Sequence, residues 1–246
     1  MSAESSAGAE ASATAGRPVA IVTAGSAGIG AGIVRELSAT HDVVVSSRSE
    51  AAEAIAAEVG GVAVRGSITD PADRERLVAA TLERFGRIDG LVINTGHPPA
   101  GELLDLTDAD WENGLDLIFR SAIHLTTLVT PTFLQQRSGS VVAITTYASL
   151  VPQLSMPVSS VLRAALQNWL KLYATRYGAD GIRANSVLPG FIDTHPSTPE
   201  RLASIPAGRY ADPAELGRVV AFLISDAASF VSGQNLVVDG GMIPVP

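Results

Sequence analysis

The chain has no cysteine among its 246 residues, which excludes disulfides, thiolate zinc sites and a cysteine nucleophile. It also has no surplus of positive charge: 17 Lys and Arg stand against 25 Asp and Glu, for a net charge of −8. That balance argues against nucleic acid or an anionic membrane surface as partner, since both attract basic patches. No stretch approaches the roughly 18 consecutive apolar residues of a membrane span. Residues 1–17, MSAESSAGAEASATAGR, lack both the basic start and the apolar stretch of a signal peptide. Their Ala, Ser, Gly and Glu read as a disordered tail, with one domain following over 18–246. A cytoplasmic protein is the expectation.

With 46% hydrophobic and 17% charged residues, the chain is globular and long enough to bury a sizeable core. Short apolar runs alternate with helix-length segments. Candidate strands are Val19–Thr23, Val43–Ser46, Val62–Val64, Gly90–Ile93, Ser140–Thr145, Ile182–Leu188 and Asn235–Val238. Most are continuously apolar, as expected when both faces of a parallel sheet are covered. Asp70-Pro71, Thr107 with Asp110, and Asp212 with Glu215 mark helix starts. The pattern predicts an α/β chain: a Rossmann-like, doubly wound sheet of about seven parallel strands with helices on both faces.

The glycine-rich string VTAGSAGIG, Val22 to Gly30, directly follows the first strand and opens the first helix. Glycine-rich turns are common connectors, but this order of strand, loop and helix suits a dinucleotide pyrophosphate resting on backbone N–H groups. Gly25, Ser26, Gly28, Ile29 and Gly30 are the candidate contacts. At the end of the second strand, Ser46-Ser47-Arg48-Ser49 offers no acid until Glu50. An NAD site usually places Asp or Glu there for the ribose 2′-hydroxyl. Ser47 and Arg48 instead suit a 2′-phosphate, so NADP(H) is expected rather than NAD(H). The plainer reading of Arg48 is a solvated loop arginine.

AITTYASLVPQLSMPVSSVLRAAL reads as a buried strand, a loop and the start of a helix. Thr146, Ser159 and Arg163 are spaced by 13 and 4 residues within it. From about Val19 to Gly241 the chain resembles short-chain dehydrogenases/reductases, and within them proteins like 3-oxoacyl-ACP reductase. In that family the same spacing carries Ser, Tyr and Lys. The resemblance implies that Ser67-Ile68 takes the place of the Asp-Val pair near adenine. Asn94-Thr95-Gly96 takes the last three places of the family's NNAG. Pro189-Gly190-Phe191-Ile192-Asp193-Thr194 matches PGxxxT, whose Ile192 and Thr194 positions meet the nicotinamide carboxamide in relatives. Ala24 replaces the first glycine of the TGxxxGxG loop, and Ile118 replaces a helix Asn that passes protons to solvent. The family's assembly implies a homotetramer or homodimer built on helices at about Asp108–Gln136 and Ser159–Tyr177. Leu117, Leu125, Leu128, Leu166, Leu170 and Tyr173 are the apolar positions expected to suit it.

Carbonyl reduction needs a hydride and a proton for the developing alkoxide. An aliphatic hydroxyl at Ser159 is less acidic and shorter than the Tyr it replaces. Arg163 is positioned for ribose hydroxyls but does not shuttle a proton. Lys171, the chain's single lysine, is turned about 80° from the Arg163 face of the helix. Thr146 retains a hydroxyl for a substrate oxygen. Other candidate acids are Tyr147, which alternation aims away from Thr146 unless a turn redirects it, and His97 and His195, as histidine is the common acid–base side chain near neutral pH. The plainer readings are a packing tyrosine and solvated loop histidines. No metal-ligand spacing occurs. The proline-rich segment Asp193–Ala207 takes the place of a substrate-covering loop and predicts an open pocket. The expected function is an atypical NADP(H)-dependent oxidoreductase acting on a small molecule. The alternatives are a redox-neutral lyase, isomerase or cyclase, or a non-catalytic cofactor-binding regulator.

Overall fold

Seven apolar runs pair side by side into one parallel sheet in a computed structural model that describes residues 16–194 and 196–244. The expected N-terminal tail, up to residue 15, and His195 lie outside the described residues. The elements run β1 (Val19–Thr23), α1 (Gly28–Ser38), β2 (Asp42–Ser47), α2 (Ala51–Val59), β3 (Val62–Arg65), α3 (Pro71–Phe85), β4 (Gly90–Ile93) and α4 (Asp108–Gly114). After a π-helical stretch at Leu115–Arg120 come α5 (Ser121–Gln136), β5 (Gly139–Ile144), α6 (Pro157–Tyr177), β6 (Ile182–Pro189), α7 (Pro199–Ala203), α8 (Pro213–Ile224) and β7 (Asn235–Val238). The sheet order is β3-β2-β1-β4-β5-β6-β7. Winding reverses between β1 and β4, so a crevice opens there at the carboxyl ends of the strands.

The helix starts read from the sequence are built as expected. Asp70 accepts from the N–H groups of Ala72 and Asp73, and Thr107–Asp110 and Asp212–Glu215 form reciprocal capping boxes. Two apolar layers cover the sheet. One centres on Ile21, Leu91, Phe133 and Leu166, the other on Val22, Ile33, Val187 and Val220. The continuous helical run Asp108–Gln136 is long and apolar enough to cross a membrane by composition, but Ile118, Ala122, Leu125, Val129 and Phe133 pack against the sheet. That packing corrects the expected interface: Leu125, Leu166, Leu170 and Tyr173 are buried within the chain's own core, and Leu117 and Leu128 are half-buried. The exposed large apolar residues on these helices are Leu134, Val161 and Leu172.

Candidate functional site

β1 ends at Thr23, and the next residue turns left-handed. Ala24 has φ +46°, a conformation that disfavours a side chain, so the methyl at the first glycine position is accommodated under strain. Asn94 holds this turn: its Nδ2 donates to Ala24 O at 3.2 Å, and its N–H donates to Thr23 Oγ1 at 3.0 Å. Gly25 donates its N–H to Ser46 O, and Ser26 and Ser47 share a hydroxyl–hydroxyl bond of 2.8 Å. The loop is thereby fastened to the end of β2. At Gly30 a Cβ would collide with Ala24 O, so the loop closes only around glycine. Gly28, at φ +53°, opens α1 with Thr194 directly beside it. Ile29 is half-buried against the apolar layer.

Beyond this loop lies a cavity of about 470 Å³ lined by Ala24, Ser47, Arg48, Ser67, Ile68 and Gly96, among others. Arg48 is exposed and, among the described residues, its guanidinium makes no hydrogen bond or ion pair. The Ser67 hydroxyl bonds Thr69, and its N–H donates to Asp73, whose carboxyl that bond and Arg76 hold below the usual range. His97 lines the same cavity, as do Asn113 and Asp116 from α4 and the π-helical stretch, which local sequence did not single out. Pro189 closes β6 in register with Val238, and Ile192 is buried in a short bridge to Ala211. Thr194 and Gly28 line a second cleft, so the PGxxxT segment and the glycine loop meet over the start of α1. The close-fitting glycines and the open crevice fit a dinucleotide.

The corner of β5 and α6 is arranged differently from what the spacing suggests. Thr146 caps a single 3₁₀ turn, Tyr147–Ser149, by accepting from Ala148 N–H. Arg163 is only 7% exposed, and its guanidinium points into the protein. Its Nη1 donates to Ile144 O at 2.5 Å, its Nη2 to Thr95 Oγ1 at 2.9 Å, and its Nε to Ser159 Oγ at 3.2 Å. No carboxylate among the described residues pairs with it, and burial pushes its pKa down to about 10. It stays protonated at neutral pH. One turn on, Gln167 donates to Thr145 Oγ1 and Ser149 Oγ, a second set of polar bonds beside those of Arg163. Ile118, in the place of the proton-relaying Asn, is fully buried in the apolar core.

Tyr147 stands at the mouth of this corner. The 3₁₀ turn removes the strand alternation and brings its ring to 5.9 Å from that of Phe191. Burial raises the Tyr147 pKa, and the charge of Arg201 opposes the rise. Arg201 on α7, Tyr210 beyond it, and Gln167 carry no local motif, so the sequence did not mark them.

Residues 23–243 match the protein-family model described as "Enoyl-(Acyl carrier protein) reductase". The chain is 34% identical over 238 residues to a 3-oxoacyl-[acyl-carrier-protein] reductase of Synechocystis, covering 92% of this chain and 96% of that protein. It is 35% identical over 243 residues to rabbit (Oryctolagus cuniculus) dehydrogenase/reductase SDR family member 4, covering 91% and 92%. It is 31% identical over 245 residues to the oxidoreductase UcpA of Escherichia coli K12, covering 90% and 93%.

Proposed function

Since the chain belongs to the short-chain dehydrogenase/reductase family, we propose that it is an NADP(H)-dependent oxidoreductase acting on a small molecule by an atypical mechanism. Bound in reduced form, the nicotinamide would supply hydride. Gly25, Ser26, Gly28 and Gly30 would receive the pyrophosphate, Ser47 and Arg48 the ribose 2′-phosphate, and Ile192 and Thr194 the carboxamide. The observation that carries the cofactor assignment is Arg48, a cation without a partner among the described residues, beside the cavity and on a strand end that has no acid. The names of the relatives point to carbonyl and conjugated thioester substrates as the classes to screen. We further propose a homodimer or homotetramer.

One observation favours a second reading, that of a redox-neutral or non-catalytic member: Arg163 is bonded to Ser159 and to the backbone at Ile144. Calorimetric titration with NADPH, NADH and their oxidised forms tests the first reading. NADPH is expected to bind at micromolar concentration and more tightly than NADH. A charge-assisted phosphate contact contributes about 1.5–3 kcal/mol, so Arg48→Ala should weaken NADPH by roughly 10- to 100-fold and leave NADH within about twofold. A preference for NADPH that survives the substitution removes the role given to Arg48. No binding of any form removes the reading.

A further inference from the structure

Three aromatic rings form a row across the ends of β5 and β6. Tyr147 is tilted against Phe191, and Phe191 stacks on Tyr210 at 5.4 Å with the planes 18° apart. The guanidinium of Arg201 lies over Phe191, 5.2 Å from the ring centre. Phe191 is the residue before Ile192 in the PGxxxT segment, so this row adjoins the segment assigned above to the carboxamide. The Tyr147 hydroxyl makes no hydrogen bond to any described group, yet it is not sealed from solvent. The Tyr210 hydroxyl, in the same row, is the one buried side-chain polar atom without a partner among the described residues.

The charges around Tyr147 are few. On α6, Arg163 is turned towards Ile144 O and Thr95. The end of β6 presents Phe191, an uncharged ring. On α7, Arg201 is, among the described residues, the charge that acts on the phenol. A phenol packed on the ring of Phe191, which the Arg201 guanidinium also covers, and with no hydrogen bond to a described group, has what Ser159 lacks: an acidic proton and a charge to stabilise the anion left behind.

We infer that Tyr147 is the proton donor of this site and that Arg201 stabilises the phenolate it leaves. The inference rests on the oxidoreductase reading. The Tyr147 Oη–H bond breaks, a bond forms between that proton and the substrate oxygen, and the electron pair stays on Oη opposite the Arg201 charge. Water, which reaches the half-buried ring, returns the proton. Arg201 thus does for Tyr147 what Arg163, engaged with the backbone, does not do for Ser159. Phe191 and Tyr210 are positioning residues that fix the angle of the donor ring.

The test begins without cofactor or substrate. Near-ultraviolet titration of tyrosinate in the wild type, minus the same titration of Tyr147→Phe, isolates the Tyr147 pKa from the other three tyrosines. Arg201→Gln is expected to raise it, and Arg201→Lys to restore it. A Tyr147 pKa indifferent to Arg201, or no lower than that of Tyr173, which burial pushes to about 12, overturns the inference. The second readout is turnover with NADPH of acetoacetyl and crotonyl thioesters. General-acid catalysis contributes about 100-fold or more, so Tyr147→Phe should lower kcat by that factor with calorimetric NADPH affinity unchanged. Full activity in Tyr147→Phe overturns the inference while leaving the cofactor reading standing. No NADPH binding removes that reading, and the ligand-free titration still decides whether Tyr147 and Arg201 are coupled.

Discussion

A guanidinium that the family frame would aim at a ribose instead spends three of its N–H groups on Ile144, Thr95 and Ser159. The identity of Arg163 was legible in the sequence, but its direction was not. A long side chain reaches several targets, and the acceptors that captured it come from the ends of β4, β5 and the same helix. Removing it strands buried acceptors, each costing about 1–3 kcal/mol when left unmet, although loss of the desolvated charge offsets part of that. Arg163→Ala is therefore expected to lower stability by about 2–4 kcal/mol, read from the midpoint of urea denaturation. A loss below about 0.5 kcal/mol would mean that the network contributes little to the fold. Ala24 is the reverse case. Its departure from the glycine pattern was visible, and the structure adds the positive φ that makes the departure strained.

At the scale of elements, the alternation of apolar runs with capped segments located all seven strands, with ends displaced by a residue at β2, β3, β5 and β6. β5, expected at Ser140–Thr145, runs Gly139–Ile144, and Thr145, just beyond it, bonds Val187 O through both its N–H and its hydroxyl. Less legible were the π-helical stretch Leu115–Arg120 and the 3₁₀ turn at Tyr147, which depend on packing and carry no cap or breaker of their own. The site depends on the first of these neighbourhoods. α4 meets the first turns of α6 at Gly114, where a Cβ would run into Val158 Cγ1 and press on Leu162. Gly114→Ala is expected to cost about 1–3 kcal/mol and to push the start of α6, with Ser159 on it, away from α4. Urea denaturation measures the cost, and unchanged stability would show that α6 yields freely. The glycine loop was legible because strand, turn and helix are contiguous. Tyr147, Phe191, Arg201 and Tyr210 are brought together only by the sheet, over 63 residues of chain, and no local pattern links them.

Across the whole molecule, stability depends on pH through groups whose folded-state pKa lies below its ordinary value. Arg209 and the Asp212 N–H hold Glu215 down to about 2, and burial lowers His41, opposed by the charge of Asp89. In both cases the unfolded chain binds more protons. The stability is therefore present above the ordinary value and is lost as pH falls through the folded one. For His41 the loss begins below about pH 6.5, and for Glu215 it runs from about 4.5 towards 2. Between pH 7 and pH 5 the urea midpoint should fall in the wild type and fall less in His41→Gln. Equal slopes would acquit His41. The inward-turned Arg163 also governs which sequences can be reached from this one. Exchanging Ser159 alone for Tyr takes an acceptor from the guanidinium, and exchanging Arg163 alone for Lys withdraws donors from Thr95 and Ile144. Each single exchange is expected to cost stability, because it unmakes bonds that the other residue keeps. The corner therefore acts as an interlock: a substitution at either position is tolerated only when the other is changed to match.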